Sequence, residues 1–238
     1  MRRALLSLAL ALTGLTAACG SSAAKTEDKQ AVALLAQVRT AIQTAGSVRF
    51  ADVTTIGTQS QSISGAFSPT ASTEELAGAQ NTYVSVRARG DQAWVKTNST
   101  DSLTQVLGIS DTKAASYKDT WISLTSTDSA YANILQTMTV AQVVDLYLPT
   151  RATATMGTPK TIDGHATLAL TASASESSGL KTTTTIYVDA TTKLPILGTM
   201  SATQHSTSES KHCGFLDWGV PVGVEAPSGA VSLSSILS

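Results

Sequence analysis

Residues 186–196 read IYVDATTKLPI, two apolar runs on either side of a short polar segment. The runs are rich in β-branched and aromatic residues, which favour strands, and the segment between them has the composition of a turn. The strand pattern extends back to residue 181 and forward to residue 204. We therefore predict an antiparallel hairpin here.

Similar runs occur on both sides of this hairpin, each short, rich in Thr and Val, and bounded by turn formers. A Gly90-Asp91 pair between two alternating runs predicts a further hairpin. The predicted strands cover residues 47–56, 60–67, 82–89, 92–97, 165–173, 181–189, 195–204, 207–218 and 220–226.

Helical patterns precede and interrupt these strands. Apolar residues at helical spacing predict an amphipathic helix over residues 31–45, and Gly46 suits a left-handed cap after it. Shorter helices are predicted at residues 101–107, 112–117, 129–138 and 139–147, with Asp101, Asp128 and Thr139 as N-caps. This order of elements predicts an α+β domain in which one antiparallel sheet carries helices on one face.

The amino-terminus has the pattern of an export signal. Basic residues at positions 2 and 3 precede an apolar run over residues 4–16, which is too short to span a bilayer, and two alanines then lead into Cys19. Residues 15–19 (LTAAC) resemble the bacterial lipobox, whose cysteine is acylated and becomes the mature amino-terminus. The lipobox usually has Leu three residues before the cysteine, where this chain has Thr16.

We predict a lipoprotein signal peptide at residues 1–18, a lipidated Cys19 within a flexible tether over residues 19–30, and a single domain over residues 31–238. Two acyl chains on Cys19 would hold the protein at the extracytoplasmic face of the cell membrane. The alternatives are an ordinary secretory signal and an uncleaved anchor. Only Cys213 could pair with Cys19 in a disulfide.

Charge excludes one class of partner. The formal net charge is −1 and only 14% of residues are charged, so no basic field attracts phosphates. We expect no nucleic-acid partner and no cofactor, and we expect a monomer.

Three segments together resemble one known family. They are the hairpin of residues 186–196, the tail FLDWGVPVGVEAP of residues 215–227, and the helix of residues 31–45; the turns at Gly90-Asp91 and Gly164-His165 fit the same pattern. The chain resembles the LolA-like superfamily, and within it actinobacterial envelope lipoproteins of the LppX and LprG type.

The resemblance implies a strongly curved antiparallel sheet, a half-open β-barrel, with helices covering its concave face. Members of the family hold the acyl chains of a lipid, glycolipid or lipoprotein in the apolar space between sheet and helices. A membrane lipid or glycolipid is therefore the expected ligand, and a membrane protein is a further kind of partner.

Alternating strands put one apolar face toward such a space. The residues expected to line it are Leu34, Val38, Ile42, Val53, Val84, Val86, Trp94, Leu135, Val143, Leu146, Leu168, Ile186 and Val188. Plain core packing is the alternative for each of them. Aromatic residues make up only 5% of the chain, which fits either an open cavity or tight packing of small side chains.

Catalytic patterns are weak. Residues 110–113 (SDTK) match the Ser-x-x-Lys acyl-transfer motif without its partner elements, and a turn entering a helix explains the match. His212, Cys213 and Asp217 carry ligand-type side chains, but adjacent strand residues point to opposite faces, so Cys213 is interpreted as a small buried hydrophobe. We predict that the protein is not an enzyme.

The sequence thus favours a lipid-anchored protein that binds an acylated ligand for transport or presentation. An envelope sensor or regulatory lipoprotein, or a scaffold lipoprotein without a transported ligand, is the alternative. A large apolar cavity would favour the first class.

Overall fold

The computed structural model describes residues 28–205 and 207–238. The helices in these residues are α1 (Lys29–Ala45), α2 (Thr100–Leu107), α3 (Asp111–Ala114), α4 (Ser129–Thr137), α5 (Val140–Asp145) and α6 (Leu233–Leu237). The strands are β1 (Val48–Ile56), β2 (Gln59–Phe67), β3 (Ala71–Ala77), β4 (Tyr83–Arg89), β5 (Gln92–Thr97), β6 (Ile122–Thr125), β7 (Thr155–Met156), β8 (Thr161–Ile162), β9 (His165–Ser175), β10 (Lys181–Asp189), β11 (Pro195–Gln204), β12 (Thr207–Phe215) and β13 (Val231–Ser232).

Within the described residues these strands form one 13-stranded sheet in the order β13-β6-β5-β4-β3-β2-β1-β12-β11-β10-β9-β7, and β8 pairs with β9 beside this path. In the same part of the chain, neighbouring strands pair antiparallel except β13 and β6, which are parallel. The sheet is open and curved, a half-barrel with helices, and the predicted α+β class is confirmed.

Alternate residues of each strand point to one side, which we call the inner face, where the helices pack. On β5, Ala93 and Val95 are buried on the inner face, whereas Trp94 points to the opposite, outer face. Buried residues from every helix named above share one cluster with inner-face residues, among them Leu34, Leu103, Ala114, Ile134, Val144 and Ile236 with Phe50, Val95, Ile186 and Phe215.

The chain after β12 crosses the outer face instead of forming the strand that was predicted over residues 220–226. Pro221 has no N–H to donate to a ladder, which disfavours strand pairing there. Val224 packs on Trp94, and the Arg89 guanidinium donates to the Val224 carbonyl at 3.0 Å. The tail therefore covers the outer side of β4 and β5.

The predicted hairpin of residues 186–196 is confirmed as β10 and β11. Its turn is closed by Asp189, whose carboxylate accepts from the backbone N–H groups of Thr191 at 2.8 Å and Thr192 at 2.7 Å. These hydrogen bonds, with the Thr192 N–H first, lower the pKa of Asp189 to about 2 despite some desolvation. Trp218 then ties the tail to this hairpin by donating to the Pro195 carbonyl at 2.7 Å.

The first helix is also confirmed, and Gly46 ends it with a φ of 71°, the left-handed cap that was predicted. At its start the Asp28 carboxylate accepts from the backbone N–H groups of Gln30 and Ala31, both at 3.1 Å. It also accepts from the Met156 N–H at 3.0 Å, which fixes α1 to β7. These backbone hydrogen bonds, Met156 first, lower the pKa of Asp28.

Some elements differ from expectation. Strands β3 and β6 and the terminal β13–α6 segment were not predicted; β3 reads ASTEELA, whose Ala and Glu residues disfavour strands in isolation. Cross-strand pairing on both sides overrides that preference. The cap of α2 is Ser99, which accepts from the Ser102 N–H at 3.2 Å, rather than Asp101.

Candidate ligand-binding groove

An open groove of about 440 Å³ lies where the inner face meets the corner between α4 and α5. Its volume falls in the range of about 300–1,000 Å³ that is typical of small-molecule pockets. The groove is lined by Gly46, Ser68, Pro69, Thr70, Ala71, Ser72, Ala88, Arg89, Gly90, Leu135, Met138, Thr139, Val140 and Ala141. We call it the corner groove.

A few hydrogen bonds hold the helices over the sheet at this place. The Ser72 hydroxyl, on the inner face of β3, donates to the Met138 carbonyl at 3.1 Å. The Tyr131 hydroxyl, on α4, donates to the Gly90 carbonyl at 2.8 Å. Thr139 caps α5 by accepting from the Gln142 N–H. The first two hydrogen bonds attach α4 and the residue after it to β3 and to the turn between β4 and β5, and the third begins α5. The shape of the corner groove therefore depends on these few hydrogen bonds.

The walls of the corner groove are mostly apolar. Ala88 contributes from the sheet, while Leu135, Met138 and Val140 contribute from the helices. Arg89 brings a charge to the rim, but its guanidinium also bonds the Val224 carbonyl of the tail. Such a surface suits an alkyl chain better than a polar metabolite.

Glu74 is an unusual member of the inner face. Its cross-strand neighbours are Gly65 and Val86, and the Phe50 ring packs over Gly65. Partial burial beside these groups desolvates the carboxyl group and raises the pKa of Glu74 to about 7. Glu74 was not a predicted site residue because β3 was not predicted as a strand. A Glu at an inward position of an alternating strand is the signal in the sequence that points to it.

A second buried polar group lies near the centre of the sheet. The Tyr147 hydroxyl donates to the Asp52 carboxylate, and the Tyr147 ring packs against Gly198. Burial, then the Asp52 hydrogen bond, raises the pKa of Tyr147, and burial followed by the Asp52 charge raises that of the Cys213 thiol. Cys213 is fully buried and behaves as the small hydrophobe that was expected.

A further open groove, of about 400 Å³, lies on the outer face beside the tail. Small residues of β1 and β2, including Ala51, Ser64 and Ala66, form its floor. Leu216 and Val222 of the tail form its wall. The Arg49–Asp217 ion pair, at 3.3 Å and half-exposed, joins β1 to the tail there.

The predicted lining residues fall into distinct places. Leu34, Val38, Val86, Val143, Ile186 and Val188 are buried in the inner cluster, and Ile42, Val84, Leu135 and Leu168 pack on it partly exposed. Of the full predicted set, Leu135 lines the corner groove.

Three predicted positions need correction. Val53 is 43% exposed, because it pairs with His212 on the outer side of β1 rather than facing the helices. Leu146, just after α5, is 51% exposed. Trp94 is buried, but it lies under the tail on the outer face. Strand alternation and helix phase, not hydrophobicity, decide these three positions.

The residues of the weak catalytic patterns make contacts that stabilise the fold. Lys113 donates from Nζ to the Ile236 carbonyl at 2.6 Å and so holds the end of α6. His212 and Cys213 point to opposite faces of β12, and Asp217 pairs with Arg49. Across residues 28–205 and 207–238, no three metal-ligating side chains lie close enough to share an ion. Cys19 lies outside the described residues.

No helix in the described part of the chain is long and apolar enough to cross a membrane. No protein-family model matches the sequence, and no curated protein sequence matches it.

Several solved structures are similar to this chain. The Mycobacterium tuberculosis lipoprotein LppX is 17% identical with a TM-score of 0.48, over 81% of this chain and 98% of that one. MucB is 11% identical with a TM-score of 0.41, over 84% of this chain and 63% of that one. A LolA superfamily protein from Nitrosomonas europaea is 10% identical with a TM-score of 0.26, over 76% of this chain and 91% of that one.

Proposed function

We propose that this protein is a membrane-anchored, extracytoplasmic lipoprotein that binds an acylated ligand, namely a lipid, glycolipid or lipoprotein, for transport or presentation. The observation that carries the proposal is the apolar corner groove, which opens between the sheet and the helices. An acyl chain entering there would lie against alanine, leucine, methionine and valine side chains and remove apolar surface from water. The proposal assigns no catalytic step.

The short helices support this proposal. α4 has 9 residues and α5 has 6, so each buries little area and opens at low cost compared with the sheet. Separation of the Met138–Val140 corner from Ser72 would break one hydrogen bond and extend the corner groove along the inner face. A long chain could then be accommodated without unfolding the sheet.

The anchor rests on the sequence. Cys19 follows the basic and apolar segments of an export signal, and acylation there adds about 0.8 kcal/mol of membrane binding per buried methylene. A protein held at the membrane surface meets lipids at high local concentration. That location suits the exchange of an acylated ligand.

One observation favours a second candidate function. Six of the thirteen predicted lining residues are buried in the inner cluster and four more pack on it, so side chains fill much of the space between sheet and helices. A filled core suits an envelope sensor or scaffold lipoprotein that transports no ligand. The two candidates differ in whether lipid binds at the corner groove.

Blocking the groove tests the proposal. Ala141 is exposed and lines the corner groove, so Ala141→Trp should fill it with little effect on folding. Ala132 is exposed on α4 outside the groove lining, so Ala132→Trp is the matched control. Protein lacking residues 1–18 is incubated with a total lipid extract of its host and examined by native mass spectrometry.

We expect lipid adducts on the wild type and on Ala132→Trp, and their loss on Ala141→Trp. Adducts of equal intensity on all three proteins would reject the corner groove as the site. A clean unliganded mass for the wild type would favour the sensor or scaffold candidate.

A further inference from the structure

An ion pair lies on the inner face of β12, outside the corner groove. Lys211 and Glu209 alternate along the strand with Cys213 and Phe215, whose side chains are buried in the inner cluster, and all four point to the same side. Lys211 Nζ lies 3.4 Å from Glu209 Oε1. The two side chains are 20% and 19% exposed, so solvent reaches the pair only in part.

One oxygen of this pair has no hydrogen bond. Within the described residues, Glu209 Oε1 is buried and accepts no hydrogen bond, because the nearby Lys211 ammonium group lacks the required geometry. Placing two charges largely out of water is unfavourable unless further hydrogen bonds satisfy their remaining donors and acceptors. A buried carboxylate oxygen of this kind therefore gains stability when a donor from outside the chain approaches it.

The pair occupies an end of the inner face that the helices leave partly uncovered. On β1, the inner-face positions of residues 48–52 are buried, whereas Thr54 and Ile56 are partly exposed. Thr54 pairs with Lys211, and Ile56 pairs with Glu209. A ligand can therefore approach the ion pair from solvent at this end of the sheet.

This end lies away from the corner groove. Ser72, which lines that groove, is in register with Phe67 and Val48, whereas Lys211 is in register with Thr54, further along β1. At ~3.3 Å per residue, positions 48 and 54 are roughly 20 Å apart along the sheet. The ion pair thus belongs to a second place on the inner face.

Small side chains beside the pair leave room for a ligand. Glu209 pairs with Ala202 on β11, Ala202 pairs with Thr182 on β10, and Thr182 pairs with Ala174 on β9. Ala202 and Thr182 are partly exposed and Ala174 is exposed. The curved sheet therefore presents a shallow surface of alanine and threonine next to one charged donor and one charged acceptor.

We propose that Glu209 and Lys211 bind the hydroxyl groups of an uncharged polyol, a sugar or glycerol unit, at this end of the half-barrel. A hydroxyl group both donates and accepts, so one hydroxyl can donate to Glu209 Oε1 while its neighbour accepts from Lys211. A cationic group would be repelled by Lys211, and an anionic group by Glu209. The inference goes beyond the proposed function, since it depends on neither the corner groove nor the anchor. The polyol is either free or the head group of a lipid.

Methionine methyl groups report on the two places separately. Met200 pairs with Lys211 across β11 and β12, and Met138 lines the corner groove. Protein lacking residues 1–18 is labelled with carbon-13 at the methionine methyl groups and titrated with three probes in NMR experiments. The probes are octyl β-D-glucopyranoside, methyl β-D-glucopyranoside and the methyl ether of octyl tetraethylene glycol, whose head group only accepts hydrogen bonds. The octyl probes are kept below the concentrations at which they form micelles.

In the wild type we expect octyl glucoside to shift the Met200 signal and to bind there at least about tenfold more tightly than the ether, the effect of one hydrogen bond to a charged group. Glu209→Ala and Lys211→Met each remove one half of the site, so each should weaken glucoside binding at Met200 about tenfold. Asp217→Asn is the matched control, because the Asp217 carboxylate is also in an ion pair, with Arg49 on the outer side. It should bind octyl glucoside as the wild type does.

The outcomes separate this inference from the proposed function. A Met200 signal that reports equal affinity for octyl glucoside and the ether, or that responds to neither, overturns the inference, and this wild-type comparison decides even if the variants do not fold. Unchanged glucoside binding in folded Glu209→Ala and Lys211→Met also overturns it.

Two results support the inference and differ in the source of the polyol. A Met200 response to both glucosides assigns the site to free polyols, and a response to octyl glucoside alone assigns it to lipid head groups. A Met138 signal that no octyl probe shifts would count against acyl-chain binding at the corner groove and would leave this inference in place.

Discussion

Glu74 makes the stability of the sheet depend on pH. Its pKa is about 7 in the folded protein against an ordinary value of 4.5, so between these pH values the folded state binds more protons than the unfolded state. Stability from this group is fully present below pH 4.5 and is lost as the pH rises through 7. Removal of the Glu74 charge should therefore stabilise the folded protein most at high pH.

We expect Glu74→Gln to raise the free energy of unfolding relative to the wild type at pH 8, by on the order of 3 kcal/mol, and to have little effect at pH 4.5. Urea unfolding at a series of pH values measures this difference. Glu75→Gln, on the outer face, should not show the same trend. A Glu74→Gln difference that is constant with pH would contradict the assignment of a desolvated carboxyl group.

Gly198 makes room for Tyr147. A Cβ at this position would lie 2.4 Å from the Tyr147 ring, and that ring is fully buried. Gly198→Ala should therefore force the ring away from Asp52 and lower the free energy of unfolding by about 1–3 kcal/mol or more.

The control is Gly223→Ala, because an added Cβ there meets nothing within 4 Å. Thermal unfolding of both variants compares them directly. Equal melting temperatures would show that the Tyr147 ring does not pack against Gly198.

At the level of elements, helix α5 over the corner groove begins with a single side-chain hydrogen bond. The Thr139 hydroxyl accepts from the Gln142 N–H at 3.2 Å and begins α5. Thr139→Ala should cost about 1 kcal/mol of stability and speed the exchange of bound lipid, since α5 would open more readily.

Thr139→Ser, which keeps the cap, should exchange lipid at the wild-type rate. Stopped-flow displacement of a fluorescent fatty acid measures these rates. Identical rates for Thr139→Ala and the wild type would mean that α5 does not open during exchange.

The elements with strong local signals were predictable. Helix α1 has apolar spacing and a glycine cap, and the β10–β11 hairpin has β-branched strands around a polar turn, so local preference and tertiary structure agree. Strand β3 was missed because Glu74 and Glu75 disfavour a strand locally.

The candidate site was less predictable than the fold. Hydrophobic periodicity identifies which residues face inward, as for Val86 and Ile186, but a packed core and a lined cavity have the same periodicity. The corner groove is built by turns and helix ends around Met138 and Gly90, where periodicity carries little information. Its lining follows from the way the α4–α5 corner meets the sheet.

For the whole molecule, the proposed anchor is tested by substituting the acyl acceptor. Cys19→Ala should move the protein from the membrane fraction to the soluble extracytoplasmic fraction, because removal of two acyl chains leaves no firm attachment. Cys213→Ala is the control, since Cys213 is buried in the inner cluster and should leave fractionation unchanged. Retention of Cys19→Ala on membranes after a high-salt wash would argue against lipid anchoring.

Binding of an acyl chain at the corner groove can be mapped on the protein itself. The most direct measurement is photo-crosslinking of the protein with a diazirine-bearing palmitate, followed by mass-spectrometric mapping of the modified peptides. We expect modification within residues 68–72, 88–90 and 135–141, and we expect Ala141→Trp to suppress it and Ala132→Trp to retain it. Modification confined to the outer groove at Leu216 and Val222, or absent altogether, would contradict it.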